Sequence, residues 1–357
     1  MSRGVDSSVA ALLLQKAGYD VYGAFMKNWS DTKNKITGEC AWVEERNHAI
    51  KIATKLEIPF VTLDFEKEYK KLVVDKMFKK YKIGITPNPD IDCNEKIKFP
   101  LLIKAAKKIG ISLIATGHYA RIKKKGKNFE LHRGKDESKD QSYFLYRQSQ
   151  DDLSHTLFPI GNLTKKEVRK IANKNNFQNA DKKGTTGICF IGKVNLKDFL
   201  SKKIKPKKGK ILDPDGNQIG EHDGIYFYTI GQRLGPRYGF EIKRGTGSKI
   251  KKWYVAKKDT KTNTIVAAPE GHLILLRKVV FVNDLHLIDE TKTQLLKHKK
   301  VFSRIRQVGE LIPSKIEKEK NKIKITLNKG ITGVSKGQAI VLYHKTKCLG
   351  GGVISFS

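Results

Sequence analysis

Two cysteines stand in segments suited to reactive thiols. Cys93 closes the run Thr86-Pro87-Asn88-Pro89-Asp90-Ile91-Asp92-Cys93-Asn94, in which two prolines fix φ and lead straight into a helix. At a helix amino terminus the dipole favours the thiolate, so the Cys93 pKa is expected below the ordinary ~8.5. Asp90 stands close enough to handle a proton, and Asp92 adds a negative charge that partly opposes the lowering. Cys189 lies in Thr185-Thr186-Gly187-Ile188-Cys189-Phe190-Ile191-Gly192, where flanking glycines describe a mobile, accessible loop. Such a loop can bring one thiol to another and withdraw it, as sulfur transfer through persulfide and disulfide states demands. A single cysteine is ordinarily buried and inert, and Cys40 and Cys348 take that reading. Zinc is the competing role for the pair, and no close Cys-x-x-Cys spacing supports it.

A second chemical element opens the chain. Met1 is followed by Ser2-Arg3-Gly4-Val5-Asp6-Ser7-Ser8, which precedes a helix. Small residues let the backbone approach a phosphate, and free N–H groups with the helix dipole hold its charge. Asp6 or Ser7 also reads as a simple helix N-cap. The stretch resembles the Ser-Gly-Gly-x-Asp-Ser loop of ATP pyrophosphatases, with Arg3 in place of the first glycine, where a Cβ obstructs a tight turn. The strand that ordinarily leads into such a loop is absent from the sequence, so the sheet is expected to lack its first strand.

The elements that must position these groups follow a clear order. Helical spacing at 8–17, 41–57, 66–82 and 95–109 alternates with strands Val21 to Met26, Phe60 to Phe65 and Leu113 to Thr116. That alternation implies an α/β domain with a parallel sheet, whose ligands bind beyond the strands' carboxyl ends. A hairpin over Tyr119 to Arg133 turns near Lys125-Gly126, Thr164-Lys165-Lys166-Glu167 reads as a capping box, and a short helix surrounds Phe199. Beyond Ile204-Lys205-Pro206 strands and turns take over, with Asp213-Pro214-Asp215-Gly216 a hairpin turn. The reading is a catalytic α/β domain over residues 1–203, a central β-rich module over 204–272 and a C-terminal β-barrel over 273–357.

The 357 residues carry 71 Lys and Arg against 36 Asp and Glu, a formal charge of +35. A field of that sign attracts polyanions in a salt-dependent way and makes nucleic acid the first partner to consider; a uniformly lysine-rich surface is the alternative. No stretch approaches the ~18 apolar residues of a membrane span, and the amino terminus lacks a secretory pattern. Four widely spaced cysteines suit a reducing cytoplasm better than a disulfide scaffold.

Across its whole length the chain resembles the tRNA-specific 2-thiouridylases (MnmA/TrmU). The matching segments are Phe25-Met26-Lys27-Asn28-Trp29, the proline turn with Cys93, Ala115-Thr116-Gly117-His118-Tyr119-Ala120-Arg121, Lys139-Asp140-Gln141-Ser142-Tyr143-Phe144-Leu145, the Cys189 loop, Tyr228-Thr229-Ile230-Gly231-Gln232-Arg233 and Cys348-Leu349-Gly350-Gly351-Gly352. The resemblance implies that ATP with Mg2+ sits on residues Met1 to Ser7, with Met26 and Gly117 lining the nucleoside. It implies that the wobble uridine's C2 oxygen is adenylated, that Cys189 accepts a persulfide sulfur from a donor protein, and that Cys93 releases it while Asp90 handles a proton. It further implies tRNA contacts at Asn88, Pro89, Asp90, His118, Lys139, Asp140, Gln141, Arg304, Ile305 and Gln338. The family usually has tyrosine where Ile305 stands, and isoleucine does not stack equally well on a base. Two other readings fit parts of the pattern: an ATP pyrophosphatase acting on a small molecule, and a tRNA-binding homologue with an impaired ATP site.

Overall fold

The computed structural model describes residues 1, 4–32, 40–182, 187–191, 195–235 and 252–356. The helix Val5–Lys16 begins at Gly4, whose extended backbone caps it, and buries Val5, Val9, Ala10, Ala11 and Leu12. These side chains share a core with Ile52 and Leu56 from the region of helix Ala41–Lys55 and with Val168 and Ala172 of helix Lys165–Lys174. The predicted capping box opens that last helix: the Thr164 hydroxyl accepts the Glu167 N–H, and the Glu167 carboxylate accepts the Thr164 N–H.

Strands Gly23–Lys27 and Phe60–Asp64 pair in parallel, with Gly23 opposite Phe60. Ile114–Ala115 pairs in parallel with Thr156–Leu157. Among the described residues no hydrogen-bonded strand joins the two pairs, so the α/β domain holds two parallel pieces rather than one continuous sheet.

The thiol-bearing helix departs from expectation. It starts at Pro89 rather than near 95, because a proline at the first helical position forfeits only an N–H that would be unpaired anyway. Pro89–Cys93 runs through a wider turn, Asn94–Lys98, into Phe99–Lys108. Cys93 therefore sits inside a longer helical run.

In the central module the strands order as Gln218–His222, Gly209–Leu212, Thr264–Pro269, Trp253–Asp259 and Arg233–Leu234. The Asp213 carboxylate accepts the N–H groups of Asp215 and Asn217 at 3.0 and 2.8 Å and so folds the hairpin turn. In the barrel, Leu276–Val282 pairs with both Lys322–Thr332 and Lys347–Ser355, which closes the sheet. Val280, Ile325, Leu327, Ile340, Leu342 and Leu349 fill its interior. The hairpin Ala120–Lys125/Asn128–Arg133, expected inside the α/β domain, extends the barrel's sheet instead, with Leu131 opposite Cys348.

Both β-modules grip the proline turn and the residues leading into it. Gln338 of the barrel donates to the carbonyls of Thr86 and Pro87 at 3.0 and 3.1 Å. The Thr86 hydroxyl lies 3.1 Å from that of Thr229, and Lys258 donates to the carbonyls of Gly84 and Tyr228 at 3.0 and 2.6 Å. Replacing Gln338 by leucine leaves two turn carbonyls without their donor. It is expected to cost about 1–3 kcal/mol, read as a lower midpoint in urea denaturation.

Candidate active site

The two thiols meet. Cys93, fully buried, donates its S–H to the Cys189 sulfur at an Sγ–Sγ distance of 3.7 Å, although 96 residues separate them in sequence. Three contacts hold the Cys189 backbone and loop. The Asp90 carboxylate accepts the Cys189 N–H at 2.8 Å. The Tyr69 hydroxyl donates to the Cys189 carbonyl, and Phe190, at φ 64°, packs edge-on against the Tyr69 ring at 5.9 Å. A non-glycine residue held at positive φ is a strained position that its surroundings must enforce.

The electrostatics overturn the expected lowering of the Cys93 pKa. Burial pushes the Cys93 thiol well up, and its donation to Cys189 pushes it further. Cys93 lies a turn inside the helical run, where the amino-terminal dipole has weakened and burial outweighs it. Cys189 is the lowered thiol: the Cys93 S–H stabilises its sulfur most, burial opposes, and the Lys98 ammonium adds to the lowering. Burial likewise raises Asp90, with the Cys189 N–H and Lys98 pulling the other way. Asp92 plays no part in the pair's balance; it turns to Lys76 and Lys96. Of the remaining cysteines, Cys348 is buried in the barrel sheet, whereas Cys40 is only half-buried at the start of helix Ala41–Lys55.

The phosphate loop is partly visible. Ser2 and Arg3 lie outside the described residues. Val5 is buried, and Ser7 donates to the Gly4 carbonyl at 3.1 Å. Asp6 is not the N-cap; it takes Lys165 at 2.7 and 2.8 Å and the Tyr119 hydroxyl at 2.7 Å. Gly117 presses on this loop so closely that a Cβ would lie 2.7 Å from the Asp6 carbon and the Ser7 nitrogen. Met1 packs beside Gly23, and Met26 is buried with Trp29 and Tyr69.

Several expected RNA contacts are interior. Asp140 and Arg304 are buried against each other at 2.6 Å, and Asp140 also accepts the N–H groups of Gly134 and Ser142. Both side chains are engaged inside the protein, at positions where the resemblance implied RNA contact. The Ile305 side chain joins the barrel core and its carbonyl accepts the Tyr143 hydroxyl. His118 is buried beside the rings of Phe99 and Phe158, 2.7 Å from the Thr116 hydroxyl and 3.4 Å from Lys98. Burial, then the Lys98 charge, drives its pKa well down and keeps it neutral. Gln141 accepts the Tyr119 N–H, and Gln338 is engaged by the proline turn. Lys139 is exposed.

Asn88 and Asp90 part company across the helix. Asn88, Ile91, Asp92, Glu95 and Lys96 line a cavity of about 240 Å³ with Lys80 and Arg147 on the face opposite the thiols. Pro89, at the helix start, belongs to neither group. Sequence reasoning missed Lys98, Lys165 and Tyr69. Lys98 stands five residues beyond Cys93 and Lys165 opens the capped helix; both signals were present, hidden by the abundance of lysine.

Three family models cover the chain in order: a tRNA methyl transferase HUP domain over residues 1–193, a tRNA methyl transferase PRC-barrel domain over 197–269 and an aminomethyltransferase beta-barrel domain over 277–354. Fold and site together define a HUP-type α/β protein bearing two β-modules and a paired-thiol centre. Curated relatives are similar throughout. The tRNA-specific 2-thiouridylase MnmA of Listeria monocytogenes is 40% identical, covering 99% of this chain and 93% of its own. MnmA 2 of Aliarcobacter butzleri is 41% identical over 100% and 97%, and MnmA of Blochmanniella pennsylvanica 42% over 99% and 95%. The chain belongs to the tRNA-specific 2-thiouridylase family.

Proposed function

We propose that this protein is a tRNA 2-thiouridylase that uses ATP to activate the C2 oxygen of the wobble uridine and the Cys189–Cys93 pair to replace it with sulfur. The observation that carries the reading is the 3.7 Å approach of two free thiols across 96 residues of sequence. The family model's description names methyl transfer, the relatives' names thiolation. Methyl transfer from a sulfonium donor requires no thiol pair, so the site favours thiolation.

A carbonyl oxygen is a poor leaving group and AMP a good one. Attack of the C2 oxygen on the α-phosphate gives the adenylated base and pyrophosphate. The amino end of helix Val5–Lys16 offers N–H groups and dipole to the phosphates, with Lys165 alongside. Among the described residues no three carboxylate, histidine or cysteine side chains group to hold a metal. Mg2+ would neutralise the charge of the nucleotide's phosphates.

Sulfur then moves in balanced steps. The Cys189 thiolate attacks the outer sulfur of a donor persulfide, giving a Cys189 persulfide and the donor thiol. Cys93 attacks the inner Cys189 sulfur and gives its proton to Asp90, whose raised pKa suits the task. The products are the Cys93–Cys189 disulfide and hydrosulfide, which adds at C2 and expels AMP. An external thiol reduces the disulfide, which places the cycle in a reducing compartment such as the cytoplasm. No described helix is long and apolar enough to cross a membrane.

RNA would be drawn by the charge of +35, with Lys139 and the Asn88 cavity as contact points. The test is incubation with a tRNA, ATP, Mg2+ and a sulfide source, followed by nucleoside mass spectrometry. ATP-dependent 2-thiouridine is expected. Absence of product from protein that binds both tRNA and ATP sinks the reading.

A further inference from the structure

Lys98 sits at the centre of the site with no role in the scheme above. Its Nζ lies 5.7 Å above the ring of Phe190, the chain neighbour of Cys189, donates to the Asn94 side chain at 2.9 Å and approaches His118 at 3.4 Å. The wide turn Asn94–Lys98 explains how it gets there. Where a helix closes i→i+5 bonds, residues five apart stack on successive turns. Cys93 and Lys98 are five apart, so they project from one face toward the Cys189 loop.

The neighbours of Cys189 leave this ammonium a specific task. Asp90 faces the Cys189 backbone as a carboxylate, Cys93 faces its sulfur as an un-ionised thiol, and Tyr69 binds its carbonyl. Among the described residues Lys98 is the cation whose charge acts on Cys93, Cys189 and Asp90 alike. His118, which could supply a second charge, is held neutral by burial and by Lys98 itself. An anionic sulfur beside a carboxylate in a dry site costs several kcal/mol unless a cation compensates it.

We propose that Lys98 is a catalytic residue of the sulfur-transfer step: its ammonium binds the Cys189 sulfur as thiolate and then as persulfide anion. The persulfide carries its charge one atom farther out, and the flexible four-carbon stem of lysine lets the ammonium follow it. Burial alone would lower the Lys98 pKa, but Cys189, Cys93 and Asp90 raise it, so the residue is charged while the thiol pair is reduced.

The proposal rests on the thiolation reading, and the test separates them because its readout needs no tRNA. Iodoacetamide labelling, quantified by mass spectrometry on the Cys189 and Cys93 peptides across pH, compares wild type with Lys98→Gln and Lys98→Arg. In wild type Cys189 is expected to react first and Cys93 slowly. In Lys98→Gln the Cys189 rate at neutral pH falls about tenfold and its pH profile moves to higher pH; Lys98→Arg restores most of it. An unchanged profile in Lys98→Gln, or Cys93 labelling first in wild type, overturns the proposal. Should Lys98→Gln misfold by circular dichroism, wild type and Lys98→Arg carry the test, since the order of labelling alone then decides. Wild type that labels as expected but makes no 2-thiouridine counts against the thiolation reading and not against Lys98.

Discussion

Replacing Cys189 or Cys93 by serine is expected to abolish 2-thiouridine formation, by at least about a thousandfold for either variant, while the two variants stall at different points. A serine hydroxyl neither ionises near neutral pH nor accepts sulfane sulfur. Cys189→Ser should therefore take up no label from a radioactive persulfide donor. Cys93→Ser should take it up at Cys189 and keep it, because the thiol that lies 3.7 Å away to release it is gone. Adenylation needs neither sulfur, so both variants should still form pyrophosphate in the presence of tRNA. Labelling on Cys93 in the Cys189→Ser protein would reverse the order of transfer. Full 2-thiouridine formation by either variant would remove that cysteine from the sulfur-transfer scheme.

The largest effect on stability is expected at Asp140. Its side chain is inaccessible and Arg304 is 3% exposed, so removing Asp140 leaves the Arg304 charge buried without its partner, and removing Arg304 leaves Asp140 with only the longer 3.5 Å contact to Arg133. Asp140→Ala or Arg304→Ala should cost about 3–5 kcal/mol, seen as a fall in thermal and urea midpoints. Surface RNA contacts behave differently: they change the salt dependence of tRNA binding and leave the midpoints alone. An Arg304 variant that kept its melting behaviour and lost tRNA affinity would restore the RNA role for this residue.

The order of elements was readable because the local signals were strong. The capping box at Thr164, the Asp213 turn and the order of strands and helices up to Ile114 all rest on neighbours in sequence, and that order holds although the helix bearing Cys93 starts earlier, at Pro89. What escaped depended on residues far apart. The hairpin at 120–133 reads as part of whichever sheet lies near it, and only the pairing of Leu131 with Cys348 assigns it to the barrel. The Cys93 thiol showed the same limit. Its place near Pro89 suggested a lowered pKa, but burial by distant side chains outweighs a dipole one turn away. Of the site, sequence named both sulfurs and Asp90. It overlooked Lys98, whose relation to Cys93 exists only because five residues of helix are wound wide. Arg304 and Asp140 stood in matching motifs, yet the structure spends them on each other.

The grip on the proline turn constrains how such a protein can change. Gln338 from the carboxyl-terminal barrel, with Thr229 and Lys258 from the central module, holds the backbone that aims Cys93. An enzyme whose reactive turn is braced by its appendages has no independent half to lend to a gene fusion. Exchanging the barrel for a foreign RNA-binding unit would remove a strut of the active site along with the old specificity. New substrates are therefore more accessible to such a lineage through substitutions in place than through the trading of whole modules.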